Sequence, residues 1–281
     1  MTILLYLFAI GFLNVFPSDT ADAAYHALQI FATSIVPVLF PYMVFSRYLC
    51  QRMDAGHSST IPMVAVLGLL GGSPSGAAMI SAHRHHLSQK TAHALCALSG
   101  TVSPMFIMGT IRSWTGQDDL CRQLLVCHWL AALSCAYLIR FFFLEDNQKR
   151  EFAEKEPLPS SFNPISQSID AVLQVGGCVV LYSVWAGIIG KILRPLAWLQ
   201  PIVHALLEIS GGIHAICQST YSPEIKHILI SAALGFNGLS ILSQNYTQLR
   251  PVGIRLTQLI EYAVLRSSLC ALFMTLILFF S

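Results

Sequence analysis

Charge is what this sequence lacks. Of 281 residues only 11% are Asp, Glu, Lys or Arg, whereas 54% are hydrophobic, and mean hydropathy is +0.62. A soluble domain carries about a quarter charged residues. The deficit therefore excludes an ordinary water-soluble fold and places the chain in lipid. A net charge of +2 leaves no basic face for nucleic acid. Catalytic signatures are missing too: there is no G-x-S-x-G, H-E-x-x-H, G-x-x-x-x-G-K-[ST] or spaced acidic cluster for a metal. An enzyme is not expected, nor a metal site, and ATP-driven transport would need another subunit. The eight cysteines (Cys50, Cys96, Cys121, Cys127, Cys135, Cys178, Cys217 and Cys270) form no C-x-x-C pair and lie mostly in apolar stretches. They read as small packing residues rather than a zinc or redox centre, and no cofactor is implied.

What is present is apolar sequence. At about 20 residues per crossing there is room for about seven crossings. Residues 2–16, 25–50, 124–144, 165–190 and 258–280 are uninterrupted spans. Ala21-Asp22-Ala23 could pass for a signal-peptidase site, but no Lys or Arg precedes the first apolar run, which favours a retained first helix. Four further stretches, 61–82, 91–111, 196–218 and 225–249, are interrupted. Their breaks read Gly71-Gly72-Ser73-Pro74-Ser75-Gly76, Ser99-Gly100-Thr101-Val102-Ser103-Pro104, Glu208-Ile209-Ser210-Gly211-Gly212 and Gly235-Phe236-Asn237-Gly238-Leu239-Ser240. Each half-segment is too short to span alone. Non-helical backbone at membrane depth is tolerated only where protein or a wet cavity satisfies it. Simple kinks would explain one such break; four that combine Gly with hydroxyl, amide or carboxylate residues point to an interior polar site.

Charge orients the drawing. If the first and third broken stretches are re-entrant hairpins and the other two cross, Arg47, Arg52, Arg84, Lys90, Arg140, Lys149, Arg150, Lys155, Arg250 and Arg255 share one side. Arg112, Arg122, Lys191, Arg194 and Lys226 share the other. The richer side is cytoplasmic by the positive-inside rule. The fold class expected is an all-α polytopic membrane protein. Residues 1–23 form an extra N-terminal helix, 24–144 a first repeat, 145–163 a cytoplasmic linker and 164–281 a second repeat. Each repeat runs crossing helix, hairpin, broken crossing helix, crossing helix. Three crossings per repeat invert the second relative to the first, the architecture of many secondary transporters.

The breaks carry the candidate chemistry. At Gly72, Ser73, Ser75 and Gly76, glycine lets the backbone approach a ligand, and free amides at the following helix start attract an anion. A tight turn that binds nothing is the competing view. Thr101 and Ser103 stand beside carbonyls left unpaired by Pro104, or simply patch a kink. Glu208 is the sharpest residue, because a carboxylate near the bilayer centre costs at least ~2.5 kcal/mol unless it has a partner or a task. It is placed as a ligand for a coupling cation, a proton carrier or an acceptor from solute, with a salt bridge to Arg266 as the structural alternative. Ser210 and Gly211 follow it. Asn237, Gly238, Ser240 and Gln244 complete the set, although Asn237 also suits a left-handed turn. His83, Arg84, His85 and His86 read as a solvated basic loop rather than a metal site.

Taken in order, these segments resemble a family. Ser34-Ile35-Val36-Pro37-Val38-Leu39-Phe40-Pro41, the Gly71–Gly76 break and Ser103-Pro104-Met105-Phe106-Ile107-Met108-Gly109 are similar to the first half of the sporulation integral membrane proteins. Those belong to the nucleoside-recognition, or Gate, domain superfamily. Leu207-Glu208-Ile209-Ser210-Gly211-Gly212 and the run from Leu234 to Gln244 resemble the second half. The resemblance implies a fold like that of concentrative nucleoside transporters and a permease for a small polar solute. A dipicolinate-like carboxylate leads, followed by a nucleoside-like compound, and the site is the four breaks with Glu208. It also implies a multi-pass cell-membrane location, around the developing spore if the role is in sporulation. The partners implied are the solute, the bilayer and a coupling ion, Na+ or H+, with homo-oligomerisation open. A non-transporting Gate-domain scaffold or subunit is the alternative. Two positions depart from the pattern: Ser73 and Ala78 stand where Tyr and Lys are usual, and Val102-Ser103 precedes Pro104 without the expected Asn.

Overall fold

A computed structural model describes residues 10–52, 60–84, 87–142 and 163–280. The chain is an all-α polytopic membrane protein, and among the described residues no strand occurs. Helix α1 (Pro17–Ile30) passes through a π-helical turn at Phe31–Ile35 into α2 (Val36–Arg52). Pro37 and Pro41 lack a donor and crowd the preceding turn, and the widened turn just before them keeps the pair one continuous rod. That rod starts at Pro17 and runs unbroken past residue 24. The first nine residues of the expected extra helix, the linker apart from Asn163, and His85 and His86 lie outside the described residues.

The first hairpin follows as α3 (Thr60–Gly71) and α4 (Ser75–Ala82). Then α5 (Gln89–Ser99), capped by the Ser88 hydroxyl accepting from Thr91 N, ends at Gly100. After a non-helical stretch the chain resumes through a π-helical Phe106–Ile111 into α6 (Arg112–Thr115) and α7 (Asp118–Phe142). The second half begins at α8 (Pro164–Ile192), started by Asn163 accepting from Ile165 N and Ser166 N with Pro164 at the first helical position. A 3₁₀ turn at Arg194–Leu199 leads into the second hairpin, α9 (Gln200–Leu207) and α10 (Ile209–Gln218). The broken helix α11 (Pro223–Phe236) and α12 (Gly238–Leu249) follows, and α13 (Leu256–Phe280) closes the chain. Breaks thus fall at the four expected places, and the third is narrower than its sequence suggests: only Glu208 leaves helical geometry.

Five helical runs among the described residues are long and apolar enough to cross a membrane: Pro17–Leu49, Asp118–Phe141, Pro164–Ile192, Pro223–Val252 and Leu256–Phe280. Their outward faces carry exposed Leu130, Leu133, Leu173, Leu181, Phe279 and Phe280. Such a surface is tolerable in lipid and not in water.

The two halves interlock. One core joins the first hairpin and α5 to α12 and α13 through Val64, Ile80, Leu95, Leu242 and Ala263. A second joins α10 and α11 to residues 102–111 and α7 through Ile107, Leu124, Ile213 and Leu234. Each hairpin therefore packs on the broken helix of the other half as well as its own. Helices α1 and α2 lie along α8 through Ala27, Leu39, Met43, Val172 and Val179.

Candidate functional site

A helix that stops inside a membrane leaves its last carbonyls without amide partners. The end of α5 shows how completely the fold supplies them. Ala97 O accepts from Arg266 Nη1 at 3.2 Å, Ser99 O from Ser73 Oγ at 3.3 Å and Thr101 O from Ser73 N at 2.6 Å. Gly100 O accepts from Asn237 Nδ2 at 2.5 Å. Val102 N gives its hydrogen to His128 Nε2 at 3.0 Å, which fixes the ring's proton on Nδ1. First, second and fourth breaks are thus one hydrogen-bonded junction. Asn245 extends it, donating to Ser73 Oγ at 2.9 Å.

Backbone geometry lets the segments approach so closely. Gly72 has φ +64, and a β-carbon there would lie 2.5 Å from Thr101 O and 2.7 Å from Ser103 N. Asn237, also left-handed at φ 74, is one of the few residue types that tolerate this conformation. Gly238 lies against Ile209 N and Leu207 O, which brings the fourth break onto the third.

Glu208 occupies the tip of the second hairpin and is 2% exposed. It does not reach Arg266; the salt-bridge alternative is corrected. Its Oε1 accepts from Ser210 N at 3.0 Å and its Oε2 from Gly211 N at 2.7 Å, so the carboxylate caps the helix that follows it. Arg266, also 2% exposed, instead donates Nε to Gly235 O at 2.9 Å and Nη1 to Ala97 O.

A central cavity of ≈ 70 Å³ sits among the breaks. Ser73, Ser103, Glu208, Ser210 and Gln244 line it, opposite Ser34, Val38, Val175 and Val179 of the α2 and α8 wall. The remaining candidates stand behind that lining. Gly76 packs on Ser99, Gly211 faces His204, and Gly72, Gly238 and Asn237 shape the junction. Ser240 accepts from Gln244 Nε2, and Ser75 and Thr101 are buried with hydroxyls that have no partner.

Two larger cavities continue the same line. One of ≈ 510 Å³ is bordered by Asp19, Asp22, His26, Lys191, Arg194 and His204. The other, ≈ 540 Å³, is bordered by Arg47, Gln174, Tyr182, Ser243 and Thr247 and shares Pro74, Val175 and Gln244 with the central space. Along α1 and α2 the lining runs from Asp19–Ile30 to Ser34–Leu39 to Met43 and Arg47. Along α8 the first large cavity borders Ser183 to Lys191, whereas the second borders Ala171 to Tyr182, the same stretch that gives Val175 and Val179 to the central cavity. At 1.5 Å rise per residue the three linings are about a turn apart along α1 and α2, while on α8 the central and second large cavities share one level. Among the described residues that line the central cavity, Glu208 is the only one with an acidic or basic side chain.

Sequence reasoning passed over His128, His204 and Asn245 and gave Arg266 no task of its own. The available signal was an ionisable residue inside an apolar span, which His128 and Arg266 both give. Asn245, adjacent to the Gln244 already singled out, gave no comparable signal.

The chain is 21% identical to the sporulation integral membrane protein YlbJ of Bacillus subtilis, over 97% of this chain and 81% of the relative. No family model matches the sequence. No solved structure matches it either.

Proposed function

We propose that this chain, similar over 97% of its length to the sporulation integral membrane protein YlbJ, belongs with that family and is a permease for a small polar solute, with a dipicolinate-like carboxylate as the leading class and the four helix breaks as its binding site. One observation carries this: along α1 and α2 a vestibule of ≈ 510 Å³, the small polar cavity and a vestibule of ≈ 540 Å³ follow one another in line. A scaffold has no need of such a line. At ≈ 70 Å³ the central space holds roughly two waters, so this is a closed state, and passage requires a hairpin tip to separate from the α2 and α8 wall. The Arg47 vestibule faces the side richer in Lys and Arg, the cytoplasmic one by the positive-inside rule.

The charge of the centre constrains the solute. An anion beside an ionised Glu208 is repelled, in a medium that screens poorly. A carboxylate therefore passes when Glu208 carries a proton, and Glu208 ties carboxylate movement to proton movement. Ser73, Ser103, Ser210 and Gln244 supply neutral hydrogen-bonding groups to the solute.

The test is flux. Purified protein in liposomes should release trapped dipicolinate faster than protein-free liposomes, with nucleosides and other small dicarboxylates as comparisons. Glu208→Gln, which mimics the protonated side chain and removes proton exchange, should leave dipicolinate flux uncoupled from the proton gradient while the protein stays folded. Absence of flux for every solute would favour the scaffold reading. Dipicolinate flux through Glu208→Gln that still follows the proton gradient would remove Glu208 from the mechanism.

A further inference from the structure

A guanidinium buried at membrane depth needs compensating negative charge, and none of the ion pairs formed among the described residues involves Arg266. The Glu208 carboxylate is taken up by its own helix. The hydrogen-bond acceptors of Arg266 are backbone carbonyls, with Cys135, Cys270 and His128 as its side-chain neighbours. Helix α5 ends at Ser99 and α11 at Phe236, and both C-terminal ends converge on this one side chain. Ala97 O and Gly235 O, two last-turn carbonyls without amide partners in their own helices, are the acceptors. The side chain is pressed into the junction: a β-carbon on Gly100 would lie 2.6 Å from Arg266 Nη1. Each helix C-terminus carries about half a negative elementary charge. Two of them make a site of about one negative charge, lined by carbonyl oxygens.

Paired half-helix ends and unwound carbonyls are how secondary transporters hold a coupling cation. We propose that the Arg266 guanidinium fills, as a tethered cation, a monovalent-cation site made by the C-termini of the two broken helices, so that the protein holds no sodium there. The fixed charge does structurally what a bound ion does reversibly. It joins the broken helices of the two halves permanently and takes no part in a cycle of ion binding and release. The consequence for coupling rests on the transporter reading. The occupancy of the site does not.

The experiment reads thermal unfolding of the full chain in detergent at fixed ionic strength, comparing choline, potassium, sodium and millimolar guanidinium as chlorides. The wild type should unfold at the same temperature in sodium, potassium and choline. Arg266→Ala should unfold at a lower temperature in choline and recover at least half of that loss, saturably, with guanidinium, and part of it with sodium or potassium, as a vacated site binds its ligand. Arg266→Lys, which keeps a tethered cation, should stay near the wild type. Saturable stabilisation of the wild type by sodium would overturn the proposal. So would an Arg266→Ala protein that folds yet gains nothing from any small cation. If Arg266→Ala fails to fold, the decision falls to the wild type and Arg266→Lys: a sodium-insensitive wild type with a folded lysine variant supports the tethered cation, and any other result rejects it. None of these readings needs a solute, so they are unaffected if the permease proposal fails. If that proposal holds, replacing sodium by choline should leave solute flux unchanged.

Discussion

The two hairpin tips do the same architectural job with opposite chemistry. At the first, Gly72-Ser73-Pro74 carries no charge and satisfies its polar groups on other segments: Ser73 N on Thr101 O, Ser73 Oγ on Ser99 O and on Asn245. At the second, Glu208 satisfies the amides of its own following helix, Ser210 N and Gly211 N. Pulling the first tip away strands donors and acceptors in a dry interior. The second tip carries its cap with it. A self-capped tip can leave its seat at lower cost, so on the permease proposal the second hairpin is expected to be the moving gate and the first the fixed floor.

Glycine substitutions should break that comparison most severely. Gly72→Ala places a β-carbon 2.5 Å from the Thr101 carbonyl at φ +64, against backbone that has nowhere to go. We expect a loss of about 3 kcal/mol or more, from strain and overpacking together. At the other tip, Gly211→Ala meets the end of the His204 ring at 2.7 Å. A side chain can turn aside, so the expected cost is about 1 kcal/mol. Thermal unfolding in detergent ranks the two, and equal losses would mean that both tips are equally fixed.

Glu208→Gln comes next. The amide oxygen replaces one acceptor, while the amide nitrogen faces a backbone N–H, donor against donor. Loss of one charge-assisted bond should cost about 1–3 kcal/mol, less than Gly72→Ala, with flux uncoupled from the proton gradient. Glu208→Asp keeps the charge but is shorter by a methylene, so it should retain part of both stability and flux. A Gln variant as stable as the wild type would show that the cap does not hold this tip.

The four breaks were legible in sequence because they are local. Gly-Gly-Ser-Pro-Ser-Gly and Gly-Phe-Asn-Gly interrupt an apolar run whatever packs around them, and the helices stop at Gly71, Ser99, Leu207 and Phe236 accordingly. The partners were not legible. Whether Arg266 meets Glu208 or two carbonyls depends on the rotation of α13 against α5 and α11, which no window of one helix encodes. Asn237 illustrates the boundary: its turn conformation was readable from its flanking glycines, whereas its bond to Gly100 O, in the other half of the chain, was not. Glu208 was read as a ligand, and geometry adds a role that the sequence hid, since glutamate is not among the usual helix caps.

The smallest effect is the most specific to the fixed tip. Asn245 Nδ2 donates to Ser73 Oγ, and Ser73 Oγ donates in turn to Ser99 O, so one hydroxyl relays between α12 and the end of α5. Ser73→Ala removes the relay and leaves the Asn245 amide without its acceptor. Asn245→Ala removes the donor but leaves Ser73 on Ser99 O. Each single change should cost about 1 kcal/mol, with Ser73→Ala the larger because a buried donor is stranded. The double variant should lose less than the sum, by a coupling of about 0.5–1 kcal/mol, since the shared bond is lost only once. The same cycle run between Ser73 and Glu208, one on each tip, should give no coupling, because no hydrogen bond between them accompanies their shared cavity wall. Strict additivity for Ser73 and Asn245, or strong coupling between Ser73 and Glu208, would mean that the tips are held as one unit, and the division into fixed floor and moving gate would fall.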